Sequence, residues 1–508
     1  MRARRVCGAL LAACLASGDA SAQLDSEPAQ GADVYDDAMS HPVFEEFAPR
    51  IFVAPPRAAL RPDDSRAGPS GLLQGAGPAA WPLLYRDERL TVEASLAATA
   101  GYFAFANNQF ALPPAQAASS YRADPAWGEF FVEPGIAAQW RWSQATSIYG
   151  AFGYMETATR GVDYDGVGNT WHGDVEQLYA GARWEDKARG LALDVSYGHQ
   201  GLVLGQSFLI AAGASNGAQR GASYLGPRTA WANAAIAKAT VGDVAAQAFW
   251  LKPNDAAADD TGTRIGGVEV AWDGEGPLRG AALYLHVPES DIVTRKGIDV
   301  YDVRLRWHPS ARVPNAWLAG EYAWQRKPGV DARGWYASAN YNAKDAPWQP
   351  LVMLRYARFS GDKPGTSKWE GFDSLYFGGG NPDWYQGTLG NTIFDNTNLA
   401  SVAVSITLTP TERNMLQVIA LAFRAVEVNS PMEVPAANAP VPSGGGVPAK
   451  ALANEIDVIW TYTFGKRVNV NLFAAYARPG AGYKELYASQ GGEARPWSGV
   501  GAQVNVNY

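Results

Sequence analysis

The chain has almost no cysteine. Its 508 residues contain two, Cys7 and Cys14, both near the N-terminus. No disulfide framework and no thiolate metal site is expected beyond them. Histidine is nearly as scarce: His41, His172, His199, His286 and His308 are the whole set, and none lies in an H-E-x-x-H zinc spacing. After the first twenty-two residues there is no run of eighteen apolar residues, so the chain encodes no membrane helix there. It also lacks an excess of positive charge. A formal net charge of −8 argues against a general nucleic-acid binder.

Both cysteines belong to a segment with its own reading. Arg2, Arg4 and Arg5 form a basic stretch, Val6 to Leu15 is a short apolar run, and Ala20-Ser21-Ala22 is a small-x-small cleavage site. Together they predict a secretory signal peptide over residues 1–22. Its removal takes away both cysteines, three arginines and Asp19, which brings the net charge to −10. A competing reading remains: Leu11-Ala12-Ala13-Cys14 resembles a bacterial lipobox and would place a lipid on Cys14.

Aromatics are what the chain has in abundance, with 18 Trp and 23 Tyr beside 54 Gly. Many Trp, Tyr and Gly without a long apolar run suit a transmembrane β-barrel, whose lipid-facing residues are spread over alternate positions. Residues 23–85 fit this less well. Pro, Gly, Ala and acids dominate there, and periodicity is weak. They read as a largely irregular periplasmic leader. The alternative is a partial plug of the barrel, with "HPVFEEFAPRIFV" (His41 to Val53) as its ordered part.

From Leu90 the period becomes two. Leu90, Val92, Ala94, Leu96 and Ala98 alternate with Thr91, Glu93, Ser95 and Ala97. Ile456, Val458, Trp460, Tyr462 and Phe464 oppose Glu455, Asp457, Thr461 and Thr463. Segments of this kind start near 90, 128, 147, 175, 190, 229, 242, 264, 279, 299, 315, 334, 350, 399, 414, 454, 468 and 498, eighteen in all. Those near 229, 242 and 414 alternate poorly, and Pro134 inside one predicts a bulge or an edge. Short connections such as "SQAT", "DKAR", "TVG", "KDAPWQ" and "GKR" alternate strictly with long ones such as 106–127, 158–174, 200–228, 360–398, 426–453 and 478–497. Sorting of loops by parity predicts an all-β fold: a transmembrane antiparallel up-and-down barrel of about 18 strands over residues 86–508, with short turns and both termini periplasmic.

Cost assigns the faces. An Arg at mid-bilayer on the lipid face costs about 2–4 kcal/mol, and in a wet lumen little. The lumen is therefore the face with Arg141, Arg183, Arg304, Arg306, Arg355, Asp194, Glu269, Asp302, Glu321, Glu455 and Asp457. Trp140, Trp142, Trp184, Trp307 and Tyr476 fall at strand ends, in the interfacial girdles. The last residues, "GVGAQVNVNY", read as a closing strand that pairs with the one near Leu90. Tyr508 resembles the terminal aromatic that barrel-assembly machinery reads.

The most recognisable text runs from Tyr197 to Trp231, "YGHQGLVLGQSFLIAAGASNGAQRGASYLGPRTAW". It resembles the alginate-export porin family through Gly198, Gln200, Gly205, Phe208, Leu209, Ile210, Arg220, Gly221, Leu225, Gly226 and Arg228. "RYARFSGD" (Arg355 to Asp362), "FDSLYFG" (Phe372 to Gly378), "WYQGTLGN" (Trp384 to Asn391) and "NEIDVIWTY" (Asn454 to Tyr462) extend the likeness over most of the chain from Leu90. The resemblance implies an eighteen-stranded barrel that passes an anionic uronate polysaccharide or a related solute. His199 stands where the family has Arg, and Gln206 where an acid is expected. Both departures bear on polymer specificity rather than on the fold.

A polyuronate channel needs cations at its constriction, and Arg binds carboxylates in a fixed fork. Arg304 and Arg306, two apart on one strand, point the same way, and Asp302 beside them keeps the grip loose enough for release. The plain alternative for these lumen charges is a set of salt bridges that stiffen the wall. Arg220 and Arg228, in or beside a long external loop, either line the constriction or anchor the loop. A diffusion porin for organic acids or oligosaccharides is the second transport reading. A membrane-embedded hydrolase is the rival class, but Ser196 and Asp194 share a face that His199 does not, and His172 falls in a loop. Asp163 and Asp165 are spaced like calcium ligands but lack the closing Glu of an EF-hand. No catalytic residue, metal or cofactor is implied. The expected partners are an anionic polysaccharide or small anionic solute, outer-membrane lipid, the assembly machinery and periplasmic export components, for a barrel that works as a monomer.

Overall fold

The structure is a computed structural model. It describes residues 83–508 apart from 187, 274–275, 311, 314, 379–383, 440–444, 465–466 and 508. The segments expected to be a signal peptide (1–22) and a leader (23–85, apart from its last residues), together with Tyr508, lie outside the described residues.

Period two folds as it must, into strands. They are β1 (Leu83–Arg86), β2 (Leu90–Ala106), β3 (Ala126–Arg141), β4 (Thr146–Val162), β5 (Gly168–Asp186) and β6 (Leu191–Gln200). Then come β7 (Trp231–Val241), β8 (Val244–Lys252), β9 (Arg264–Trp272), β10 (Leu278–Glu289), β11 (Ile298–Trp307), β12 (Ala316–Lys327) and β13 (Val330–Asn342). The last are β14 (Leu351–Phe359), β15 (Leu399–Thr411), β16 (Asn414–Ala425), β17 (Ala451–Phe464), β18 (Val468–Pro479) and β19 (Trp497–Asn507).

From β2 to β19 every strand pairs antiparallel with its neighbours in sequence, and β19 returns to β2, from Ser498 opposite Ala106 to Asn507 opposite Ala97. The result is a closed 18-stranded antiparallel barrel. Closure satisfies every edge, which a lipid environment demands. The short strand β1 pairs with the part of β2 that β19 leaves uncovered, Tyr85 opposite Val92. It straddles the expected boundary between leader and barrel.

The faces sort by polarity. On β11, Tyr301, Val303, Leu305 and Trp307 are 45–51% exposed on the outside, whereas Asp302, Arg304 and Arg306 are 2–6% exposed within. The weakly alternating segments are real strands, β7, β8 and β16. The first two are built largely from alanine, which suits either face and so blurs the period.

Four local expectations need correction. Loop sorting is not strict: Pro328-Gly329 joins β12 to β13 in a two-residue turn on the long-loop side, with Gly329 at φ 82. The expected long loop 158–174 is a strand hairpin, in which only residues 163–167 leave the ladder. His172 accordingly lies in β5, opposite Thr157, and not in a loop. Pro134 makes no bulge in β3. The β3–β4 register is the same on both sides of it, and the extra residue sits one strand further on, at Glu176 of β5.

The interior is where the molecule departs most from a polar lumen. Connection 201–230 and the described parts of the next long connection, 360–378 and 384–398, turn inward and meet, with Ile210 and Tyr376 forming a parallel bridge. Phe208 brings its ring among those of Tyr336, Phe359, Phe372 and Trp384, at centroid distances of 5.1–6.1 Å. Tyr224 packs among Phe103, Phe105, Trp127 and Phe473. A helix, α1 (Ala481–Ser489), lies in the last long connection.

Candidate functional site

Inward loops carry backbone N–H groups that need acceptors. The wall supplies carboxylates. Glu129 on β3 accepts from Tyr224 N at 3.2 Å and Leu225 N at 2.8 Å. Glu455 on β17 accepts from Leu389 N and Gly390 N, each at 2.8 Å, and Asp457 accepts from Thr388 N at 3.0 Å and the Tyr385 hydroxyl at 2.5 Å. Glu176, turned inward by the β5 bulge, accepts from Thr229 N at 2.7 Å and Ala230 N at 2.9 Å. Asp457 is thus buried on the inward side of β17, and its oxygens hold a loop.

Arg220 and Arg228 take the anchoring geometry. Arg228, 1% exposed, lies 3.7 Å from Glu176 and donates to the carbonyls of Met155 at 3.2 Å and His172 at 3.4 Å. Arg220 donates to Ser215 O at 3.1 Å and to Asn254 O at 2.6 Å.

Two wall arginines, Arg304 and Arg355, meet the loops, and a third, Arg306, lies beside them near the short-turn end of β11. Arg304 is ion-paired with Glu269, lies 3.8 Å from Asp302 and stands opposite Glu321 in the ladder. The backbone of Gly205 presses on its guanidinium, and next to it Gln206 accepts from the Tyr336 hydroxyl at 3.0 Å. Arg306 lies over the Trp317 ring at 4.9 Å. Arg355 lies over Trp384 at 4.3 Å and donates to Tyr385 O. Its row on the wall runs Arg306, Ala319, Ser338, Arg355 and Ala403, so only small side chains separate the two arginines. Arg355 has no carboxylate partner among the described residues.

The other predicted charges form a path to this point. Direct ladder partners run Arg141, Ser147, Arg183, Asp194, Lys238, Gln247, Glu269, with one residue from each strand from β3 to β9. Leu283 then links Glu269 to Asp302. Arg141 is the last residue of β3, at the short-turn rim, and Asp302 lies in the middle of β11. Strand tilt makes such a row climb the wall. Arg183, Asp194, Lys238 and Gln247 keep partial water contact, unlike the packed wall of β11 and β17.

The histidines among the described residues do not converge on a nucleophile. His199 meets Asn254 at 3.1 Å, and His286 meets Asp299 at 2.8 Å on the outward face. Asp163 accepts from Asp165 N and Val167 N within its own turn, while Asp165 accepts from the Ser223 hydroxyl. Burial raises the carboxyls of both. No group of three or more potential metal ligands occurs among the described residues.

Sequence reading missed Glu129 and Glu176 as loop anchors and Lys238 as part of the row. A signal for inward loops was present: the apolar triplet Phe208-Leu209-Ile210 has no place in an external loop unless it is covered.

Residues 171–495 match the family described as Alginate export. No curated protein sequence matches the chain. Among solved structures, OccK5 (OpdH) of Pseudomonas aeruginosa has a TM-score of 0.51 at 11% identity, over 82% of this chain and 98% of that one. OccK11 (OpdR) of the same organism has a TM-score of 0.49 at 12% identity, over 82% and 95%. OccAB2 of Acinetobacter baumannii has a TM-score of 0.49 at 11% identity, over 82% and 98%. At such identities the first of these speaks to the barrel fold alone. The family match spans well over half of the chain, and with it the chain belongs to the alginate export family, in the form of an outer-membrane β-barrel.

Proposed function

We propose that the protein is a passive, non-enzymatic channel that carries an anionic, alginate-like polysaccharide out through the outer membrane. The observation that carries this reading is the seating of Arg304 and Arg355 on the inner wall against one inward loop each, with Arg306 two small residues from Arg355 along the same wall row. Arginine forks match uronate carboxylates, and the aromatic faces of Trp317 and Trp384 beside them suit the apolar faces of sugar rings. The row from Arg141 through Arg183 and Lys238 supplies cations in steps of about 10 Å, two strand spacings apart where they alternate. Asp194 and Glu269 lie between and beside them and keep each grip weak enough for release.

In this reading the folded-in loops are the resting, closed arrangement, and Arg220 and Arg228 pin one of them. Short turns and both chain ends face the periplasm, residues 1–22 are a cleaved signal peptide, residues 23–82 are a leader, and Tyr508 serves barrel assembly. The barrel acts as a monomer and takes its cargo from periplasmic export components.

Planar-bilayer recording tests the proposal. An anion-preferring conductance blocked by oligouronates supports it. A conductance blocked as well by small organic acids supports the diffusion-porin reading instead, and the absence of any conductance counts against both.

A further inference from the structure

Within the described strands, the outward-facing cations gather at one rim. Among the described strand residues, every outward-facing Arg or Lys lies at the long-loop end of its strand. Arg326, Arg333, Arg358 and Arg424 form an arc on β12, β13, β14 and β16, and Arg160 and Arg478 repeat the placement on β4 and β18. At the short-turn rim the same face presents aromatics such as Trp140, Trp272 and Trp307, and the neighbouring strand arginines Arg141 and Arg306 belong to the opposite, inward face.

The arginines stand on the interfacial aromatics. Arg326 lies 4.7 Å from the Trp324 ring, Arg160 lies 5.8 Å from Trp171, and Arg478 lies 5.7 Å from Tyr476. Each thus lays its apolar stem along the girdle and lifts its head to headgroup level. Two members of the arc have no partner at all among the described residues: Arg358 and Arg424. Both stand opposite Ala400 in the ladder, one on each side, so that their Cα atoms are about 10 Å apart across a single methyl group. Towards mid-membrane the same face continues as Tyr356, Leu354, Val402 and Ala422.

We propose that this arc binds the phosphates of a doubly phosphorylated glycolipid of the lipid A type in the leaflet at the long-loop end, one phosphate seated over Ala400 between Arg358 and Arg424. Two unengaged guanidinium groups, facing lipid and separated by a notch, form a fork for a phosphate oxygen set. Their place at the long-loop end of the strands fits a partner in that leaflet. The site is independent of what passes through the lumen.

The test uses the full-length protein in detergent, titrated with bis-phosphorylated lipid A, with the same lipid stripped of both phosphates, with phosphatidylglycerol and with an oligouronate. Wild type is expected to hold bis-phosphorylated lipid A above all three. Arg358→Gln with Arg424→Gln should weaken it roughly 10- to 30-fold, while Arg312→Gln with Arg413→Gln in the short turns should not. Heat-modifiable gel mobility checks that each variant keeps its barrel. Unchanged binding in a folded Arg358→Gln/Arg424→Gln variant overturns the site. Equal binding of the stripped lipid, or preference for phosphatidylglycerol or the oligouronate, overturns the assigned ligand.

Discussion

Gly205 sits on the guanidinium of Arg304 with no room for a Cβ between them, and its φ of 53 places it in the left-handed region. One loop residue thus covers a cation that is proposed to meet cargo. Gly205→Ala should cost about 1–2 kcal/mol from the backbone alone, and it should push loop 201–230 off the wall. The expected outcome is a higher single-channel conductance than wild type. A conductance equal to or below wild type would remove the loop from the gate.

Glu176 holds the same loop from the other side. Glu176→Ala leaves Thr229 N, Ala230 N and Arg228 without their carboxylate, a loss of about 3 kcal/mol for a buried charge pair. The expected result is rapid proteolysis within 211–230 while the barrel keeps its heat-modifiable mobility. Protection equal to wild type would show that the loop is held by its apolar contacts.

Three loop carboxyls give the closed arrangement a pH dependence. Burial lifts Asp255 to about 6, with Asp260 and Asp259 adding to it and Arg295 and Arg220 opposing. Burial also lifts Asp163 to about 6, and Asp395 to about 6 with help from Glu433 and Asp373. A raised carboxyl binds its proton more readily in the folded loop than in the open chain. Stability of the folded loops therefore rises as pH falls through about 6 and levels off below about 4. Amide exchange in 201–230 and 360–398, corrected for intrinsic rate, should slow between pH 7 and pH 5. Faster exchange at pH 5 would contradict the assignment.

Tyr508 ends a chain whose final strand closes the ring against β2. Its removal should lower the yield of membrane-inserted barrel, read as the heat-modifiable fraction. Full insertion without it would place the assembly signal elsewhere.

What the sequence revealed and what it hid have separate physical causes. Alternation such as Glu455-Ile456-Asp457-Val458 records a wall with lipid on one side, so strands, faces and closure were legible residue by residue. The same alternation puts Glu455 and Asp457 on the face opposite lipid, yet it says nothing of what they bind, because their partners Thr388, Leu389 and Gly390 lie in an aperiodic loop some 65 residues away. Glu176 was hidden for a different reason: it faces inward only because a bulge shifts the register between Gly153 and Tyr154 of the neighbouring strand. Arg220 and Arg228 left both roles open until the carbonyls that receive them were seen.

The most direct test of the central claim is oligouronate block of channels carrying Arg304→Ser, Arg306→Ser and Arg355→Ser together, recorded in a salt gradient. The account predicts a reversal potential that moves from anion preference toward zero and a block at least tenfold weaker than in wild type, given more than 1.4 kcal/mol from the arginine contacts together. An unchanged reversal potential with undiminished block in an inserted, conducting variant would contradict it.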